Sequence, residues 1–221
     1  MTPSEKPMEP VWPPALAVAV FILISLVLRI AVPQRESIGP PWLIPITEFI
    51  LLIVLLVAHQ AGGDVRRPWM RPLSLVLIFA LLLAGLSSTV RLTFDLITGS
   101  SLTNSADTLL AEGTLVWLGN ALVFGLLYWQ LDSGGPYARR TSKVQYPDFV
   151  FPQHMNPELA SPDWKPQYVD YFSLGMSTSL AFSATDAMPL APWAKLAMTS
   201  QALISVTVLG LVIARAVNVF T

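Results

Sequence analysis

The sequence predicts an all-α membrane protein with about five transmembrane helices and a short re-entrant segment before the last span. Three observations lead there. Of 221 residues, 53% are hydrophobic and only 12% charged, where soluble domains carry about 25% charged residues. Five uncharged or nearly uncharged runs reach the roughly 20 residues that a helix needs to cross a bilayer. A sixth apolar run, 168–183, is too short for that and is rich in Ser and Thr.

The chain divides into an N-terminal tail (1–13), a four-helix transmembrane region (14–131), a Pro- and aromatic-rich extramembrane loop (132–167) and a C-terminal part (168–221). The first run, 14–32, exceeds the roughly 7–15 residues of a signal-peptide core and lacks a small-residue cleavage site after it, so it is expected to remain as a span. The runs 42–61, 72–98 and 108–131 follow. Loop 132–167 is too short and too Pro-rich to enclose a core of its own. The last span is 192–219. Trp12, Trp42, Trp69, Trp129 and Trp193 fall near span ends, where amphipathic rings prefer the interface.

Basic residues set orientation. Arg66, Arg67 and Arg71 lie in the second loop, Arg139, Arg140, Lys143 and Lys165 in the fourth, and Lys6 in the tail; the other side has Arg35 and little else. The expected location is the inner (plasma) membrane, with the N-terminus cytoplasmic and, after five crossings, the C-terminus external. A net charge of −1 gives no nucleic-acid signal, and the absence of cysteine excludes disulfides, thiolate metal sites and a Cys nucleophile.

The segment 169–190 reads VDYFSLGMSTSLAFSATDAMPL and leads into the last apolar run. Asp170 is placed to meet the positive end of a short helix, and Thr185 to Pro189 with Pro192 provide turn chemistry before the final one. This order resembles the pore half of a potassium channel: pore helix, filter, inner helix. Aligned without gaps from Tyr171-Phe172-Ser173, the filter Thr-Val-Gly-Tyr-Gly falls on Ser179-Leu180-Ala181-Phe182-Ser183. Both filter glycines are therefore replaced, at about 1–2 kcal/mol per residue if the same left-handed backbone is kept. The acidic residue after the filter is Ala184 here, with Asp186 two positions on. The resemblance implies a degenerate, non-potassium filter in which Thr178, Ser179, Leu180, Ala181, Phe182 and Ser183 line a constriction and Asp186 guards its mouth. Positive-inside orientation turns this loop to the cytoplasm, as in ionotropic glutamate receptors. Over nearly its full length the chain also resembles a family of uncharacterised bacterial multi-pass membrane proteins, through Gly39-Pro-Pro-Trp42-Leu-Ile-Pro45, Tyr128-Trp-Gln-Leu-Asp132-Ser-Gly-Gly-Pro136, Pro147-Asp-Phe-Val-Phe-Pro152 and Ala214-Arg215-Ala216-Val217-Asn218.

Six ionisable residues fall inside spans: Arg29, Glu48, Arg91, Asp95, Glu112 and Arg215. Each costs about 2.5–3.5 kcal/mol to insert. Following the chain back and forth places all six in one leaflet, the outer one. Glu48 and Arg91 are expected at similar depth, about 9–10 Å inside their span ends at 1.5 Å per residue, and close to each other. Such a layer either fixes helix register through buried ion pairs or lines a proton or ion path.

Other candidates carry ordinary explanations. His59 and His154 are isolated and form no metal-ligand spacing, so no metal and no cofactor are expected. Asp148, Glu158 and Asp163 offer oxygen ligands to a cation, but loop carboxylates are normally solvated. Gly134-Gly135-Pro136 is a turn rather than a phosphate loop. No serine has a triad partner nearby, so an enzyme is not expected. Asn120 is expected to bond across helices. The last span carries Ser200, Ala202, Ser205, Gly210, Ala214 and Ala216, small residues that permit close helix contact. Two function classes remain open: an ion-channel-like pore protein, a homo-oligomer and a tetramer if it conducts; or a non-conducting accessory or scaffold subunit that binds an unknown membrane partner through its last helix and loop 132–167. In both, the surrounding partner is the lipid bilayer.

Overall fold

Prolines open the long helices where their missing N–H costs nothing: Pro13 and Pro14 in α1 (Trp12–Ala31), Pro72 in α2 (Met70–Thr98) and Pro192 at the head of the last helix. The structure, a computed structural model, describes residues 9–31, 45–46, 48–50, 52–53, 70–98, 106–141, 146–162, 164–181 and 187–220. After α2 comes α3 (Ala106–Leu131), then a 3-10 turn (Asp132–Gly134), α4 (Pro136–Thr141), strand β1 (Phe149–Val150), α5 (Pro152–Met155), a second 3-10 turn (Pro157–Leu159), α6 (Tyr168–Ala181), strand β2 (Met188–Pro189) and α7 (Pro192–Phe220).

The molecule is mostly helical. Three helices are long and apolar enough to cross a membrane: Arg71–Thr98, Asp107–Gly134 and Pro192–Val217; the apolar stretch Trp12–Leu28 is shorter. Of the run 42–61, only 45–46, 48–50 and 52–53 are described, and they are helical. One small departure from an all-α chain is the antiparallel pair β1–β2, with Val150 opposite Met188.

The most enclosed helix is α3, buried over 67% of its apolar window against 33% for α2 and 28% for α7. It packs against α1, α2, α6 and α7. Leu81, Leu109, Val123 and Leu126 fill the space between these helices, with Phe21 of α1 against Gly85 and Gly119. Exposed Phe79, Leu83, Val90 and Phe94 on α2, and Leu196, Leu203 and Ile213 on α7, give an apolar exterior suited to lipid. Asn120 Nδ2 donates to Thr89 Oγ1 at 2.7 Å, the cross-helix bond expected of it, and Thr89 in turn donates to Gly85 O.

Helix directions follow from the contacts. Asn120 beside Thr89 and Gln130 beside Ser74 make α2 and α3 antiparallel. Gly113 against Val212 and Tyr128 against Gln201 do the same for α3 and α7. Gly125 against Phe172, Ala121 against Gly175 and Trp117 against Ser179 set α6 antiparallel to α3. Hence α6 and α7 run parallel, though consecutive. Phe149 of β1 touches both Tyr171, near the start of α6, and Trp193, at the start of α7. The chain therefore stands beside β1 at the head of α6, and again at β2.

Candidate functional site

Loop 132–167 has no core of its own, but it shares one. Phe149 and Phe151 are buried with Phe124, Tyr128, Tyr171, Leu174, Ala194 and Met198 from three helices. Their rings meet edge-on, Phe151 with Tyr171 at 5.2 Å and Phe149 with Trp193 at 5.6 Å, the geometry the ring quadrupole favours. His154 and Trp164 extend the group.

Beside these rings is a polar cluster. Helix α3 ends because Ser133, Gly134 and Gly135 all take positive φ (54°, 83° and 98°). That turn folds the chain back on Asp132, a buried carboxylate. Tyr171 Oη donates to its Oδ2, while Ser133 Oγ and the Asp148 N–H donate to its Oδ1 at 2.8 and 3.2 Å. Asp148 Oδ2 accepts the Ser133 N–H at 2.7 Å. Arg139, also buried, donates to the carbonyls of Trp129 and Asp132 and lies 4.9 Å above the Tyr171 ring. Lys165 Nζ donates to Arg139 O. From the tail, Glu9 accepts the Trp129 Nε1–H and the Tyr168 N–H. Asp170 Oδ2 accepts the Gln167 N–H at 2.7 Å, closing the first turn of α6 as the return half of a capping box does.

Deeper along α6 lies a second cluster. Tyr128 Oη donates to Gln201 Oε1 at 2.6 Å, and Gln201 Nε2 donates to Gly175 O and Ser179 Oγ, both at 2.8 Å. Trp117 Nε1 donates to Ser179 O at 3.4 Å. One amide side chain thus ties α3, α6 and α7 together.

Thr178, Ser179, Leu180 and Ala181 are helical rather than part of a filter-like loop. The stretch from Met176 to Ala181 contains no Gly or Pro to stop the helix, and among the described residues the only non-glycine with positive φ is Ser133. Thr178 and Ser179 are buried within the chain, whereas Leu180 is exposed. Phe182, Ser183 and Asp186 lie outside the described residues, as do His59 and Asp163.

Among the span charges, Asp95 is near the end of α2, Glu112 near the start of α3 and Arg215 near the end of α7. The antiparallel registers bring these three to one level. Glu48 and Glu112 are buried, Arg91, Asp95 and Arg215 half-buried, and Glu48, Asp95, Glu112 and Arg215 are each engaged by a neighbouring group. The side chain of Arg29 lies outside the described residues. Among the described residues, no three His, Cys, Asp or Glu side chains are grouped to hold a metal.

Sequence reasoning missed Glu9, Asp132, Arg139, Tyr171 and Gln201 as interacting residues. The signal was partly present, since Tyr128 to Pro136 and Pro147 to Pro152 were distinctive segments; nothing in their spacing showed that they meet.

His154 Nδ1 accepts the Phe151 N–H at 3.1 Å. Packing of its ring pushes the imidazole below its ordinary value of 6.5, against the pull of Asp132 and Asp170. The unfolded chain therefore takes up the proton first, so this contribution is complete above pH 6.5 and is lost as pH falls below it. In detergent, the midpoint of thermal unfolding is expected to fall between pH 7.5 and 5.5, and to fall less in His154→Phe, which keeps the ring and removes the titration. Equal falls in both proteins would contradict this.

Comparison with family models, with curated proteins and with solved structures gives no match.

Proposed function

We propose that this chain is the subunit of an oligomeric membrane pore, in which α3, α6 and α7 act as outer helix, re-entrant pore helix and inner helix. The observation that carries the reading is the direction of α6. It descends beside α3 for about 20 Å at 1.5 Å per residue, yet Ala187 and Met188 are back beside Phe149, at the end where α6 began. A helix that enters and a chain that emerges on one side form a re-entrant hairpin.

The pore is not potassium-selective, because glycines are missing where a carbonyl-lined filter needs them. The chain sits in the inner membrane with five spans, the N-terminus cytoplasmic and the C-terminus external. Arg71, Arg139, Lys165 and Lys195 at the loop end of the bundle support that orientation. The exposed residues Ser200, Gly210 and Ala214 leave a face of α7 on which a second copy can pack closely.

The test is flux. Purified protein in liposomes is expected to be oligomeric and to pass monovalent ions. The chain has no cysteine, so Leu180→Cys offers a single reactive position at the exposed end of α6, and its modification by a charged thiol reagent is expected to block flux. An oligomer that passes no ions overturns the pore reading. A monomer that co-purifies with another membrane protein supports the accessory-subunit alternative. Orientation has its own measurement: Ser142→Cys should be labelled only after the membrane is made permeable, and Thr221→Cys in intact cells.

A further inference from the structure

Serine and threonine inside a helix usually satisfy their hydroxyl on the carbonyl one turn back. Ser87, Thr89 and Thr98 of α2 do so. Thr178 of α6 and Ser205 of α7 do not: each is 1% exposed, and neither hydroxyl oxygen has a partner among the described residues. A buried hydroxyl left unmatched is unfavourable enough that native interiors normally supply a partner.

Both residues belong to one seam. Gln201 bonds Gly175 O and Ser179 Oγ across the α6–α7 contact. Thr178 precedes Ser179 and follows Leu174 by one turn, on the side of α6 that packs with Ala194 and Met198 of α7. Ser205 follows Gln201 by one turn on the buried side of α7. Thr178 is therefore level with the Gln201 bridge, and Ser205 lies one turn beyond it along α7. Gln201 itself is committed, since its oxygen accepts from Tyr128 and its nitrogen donates twice. Neither hydroxyl bonds to it.

Electrostatics identify the guest. The last turn of a helix presents outward-pointing carbonyls and the negative end of its macrodipole. Helices α3 and α6 contain no Lys or Arg, and the basic residues of α7, Lys195 and Arg215, stand near its two ends, while α2 carries the half-buried Arg91. Neutral hydroxyl oxygens beside the carbonyl end of a half-helix make up the kind of donor set that holds a small alkali cation in membrane transport proteins generally. We infer that Thr178 and Ser205, with the carbonyl end of α6, form a binding site for a monovalent alkali cation between α6 and α7. This rests on the membrane-embedded placement of α6, not on conduction.

The experiment is a binding titration read by thermal unfolding of the full-length protein in detergent. Sodium, potassium and lithium chloride are each varied at constant ionic strength against N-methylglucamine chloride. A saturable rise in the unfolding midpoint with one of the alkali cations is expected. Thr178→Val with Ser205→Ala should remove that dependence. Should the double variant fail to fold, each single variant should raise the half-saturating concentration about tenfold, the equivalent of one lost ligand interaction of about 1.4 kcal/mol. A midpoint that responds equally to all cations, or a specific response that survives both substitutions, overturns the site and assigns the hydroxyls to buried water. The result stands apart from the liposome measurement: a protein without flux but with a Thr178-dependent cation response keeps the site and loses the pore.

Discussion

Gly175→Leu is expected to abolish the folded state, and Gly175→Ala to weaken it measurably. A Cβ on Gly175 would sit 2.8 Å from the Ala121 carbonyl oxygen and 3.2 Å from the Gly125 nitrogen. Both are backbone atoms of α3 and cannot rotate away. On the other side, a Cβ on Gly125 would meet the Phe172 Cα at 3.2 Å. The two helices touch backbone to backbone, the close approach that small residues permit in membrane proteins. Overpacking of a tight interior costs about 1–3 kcal/mol for modest additions; a leucine here must push α6 off α3 and break the Gln201 bridge as well. Gly210 supplies the control. Within one chain a Cβ there meets nothing within 4 Å, so in the detergent-solubilised monomer Gly210→Ala should be neutral or stabilising, by up to about 1 kcal/mol through helix propensity. Unfolding midpoints in one detergent measure all three. Equal effects at Gly175 and Gly210 would show that the α3–α6 crossing is not tight.

Asp132→Ala is expected to be the most damaging polar substitution. It removes the acceptor of three donors, the Tyr171 hydroxyl, the Ser133 hydroxyl and the Asp148 N–H. It also leaves Arg139 buried beside a cavity. Hydrogen bonds to a charged group contribute about 1.5–3 kcal/mol each, less than additively when they share one acceptor. A loss of about 3 kcal/mol or more is therefore expected, with loosening of loop 146–162 as the visible consequence. Tyr171→Phe removes one of the three bonds and should cost about half as much. Combining both should add little to Asp132→Ala, because the two groups act on each other. Limited proteolysis reports the loop, and thermal unfolding reports the whole. Additive losses, or an Asp132→Ala protein as stable as the parent, would refute the cluster's role.

The long helices were legible because hydrophobic runs of 20 residues or more leave little choice, and proline opens three of the four. Span boundaries expected at 72–98, 108–131 and 192–219 became Met70–Thr98, Ala106–Leu131 and Pro192–Phe220. The start of α6 was legible too, with Asp170 in the capping position. Its end was not. The resemblance to a potassium filter stopped the helix before Thr178, but filters are shaped by glycine, and a stretch of Met, Ser, Thr, Leu and Ala continues as helix to Ala181. Loop 132–167 was expected to enclose no core of its own; it shares one with three helices instead. Its aromatic residues find Tyr128, Tyr171 and Trp193, partners up to about forty positions away.

Composition and run length determined that this chain is helical, that it carries helices able to cross a membrane, and that a short polar-flecked helix precedes the last of them. These follow from local physics: the hydrophobic effect acts on each run, and capping acts within a turn. Tertiary structure decided that α6 lies parallel to α7, that Glu9, Asp132 and Arg139 share a cluster, and that Thr178 and Ser205 are left with unmatched hydroxyls. Those facts depend on which backbones can approach, and Gly125 against Gly175 sets that approach. A glycine in a sequence shows only that space is available; what fills it depends on residues brought there from distant parts of the chain.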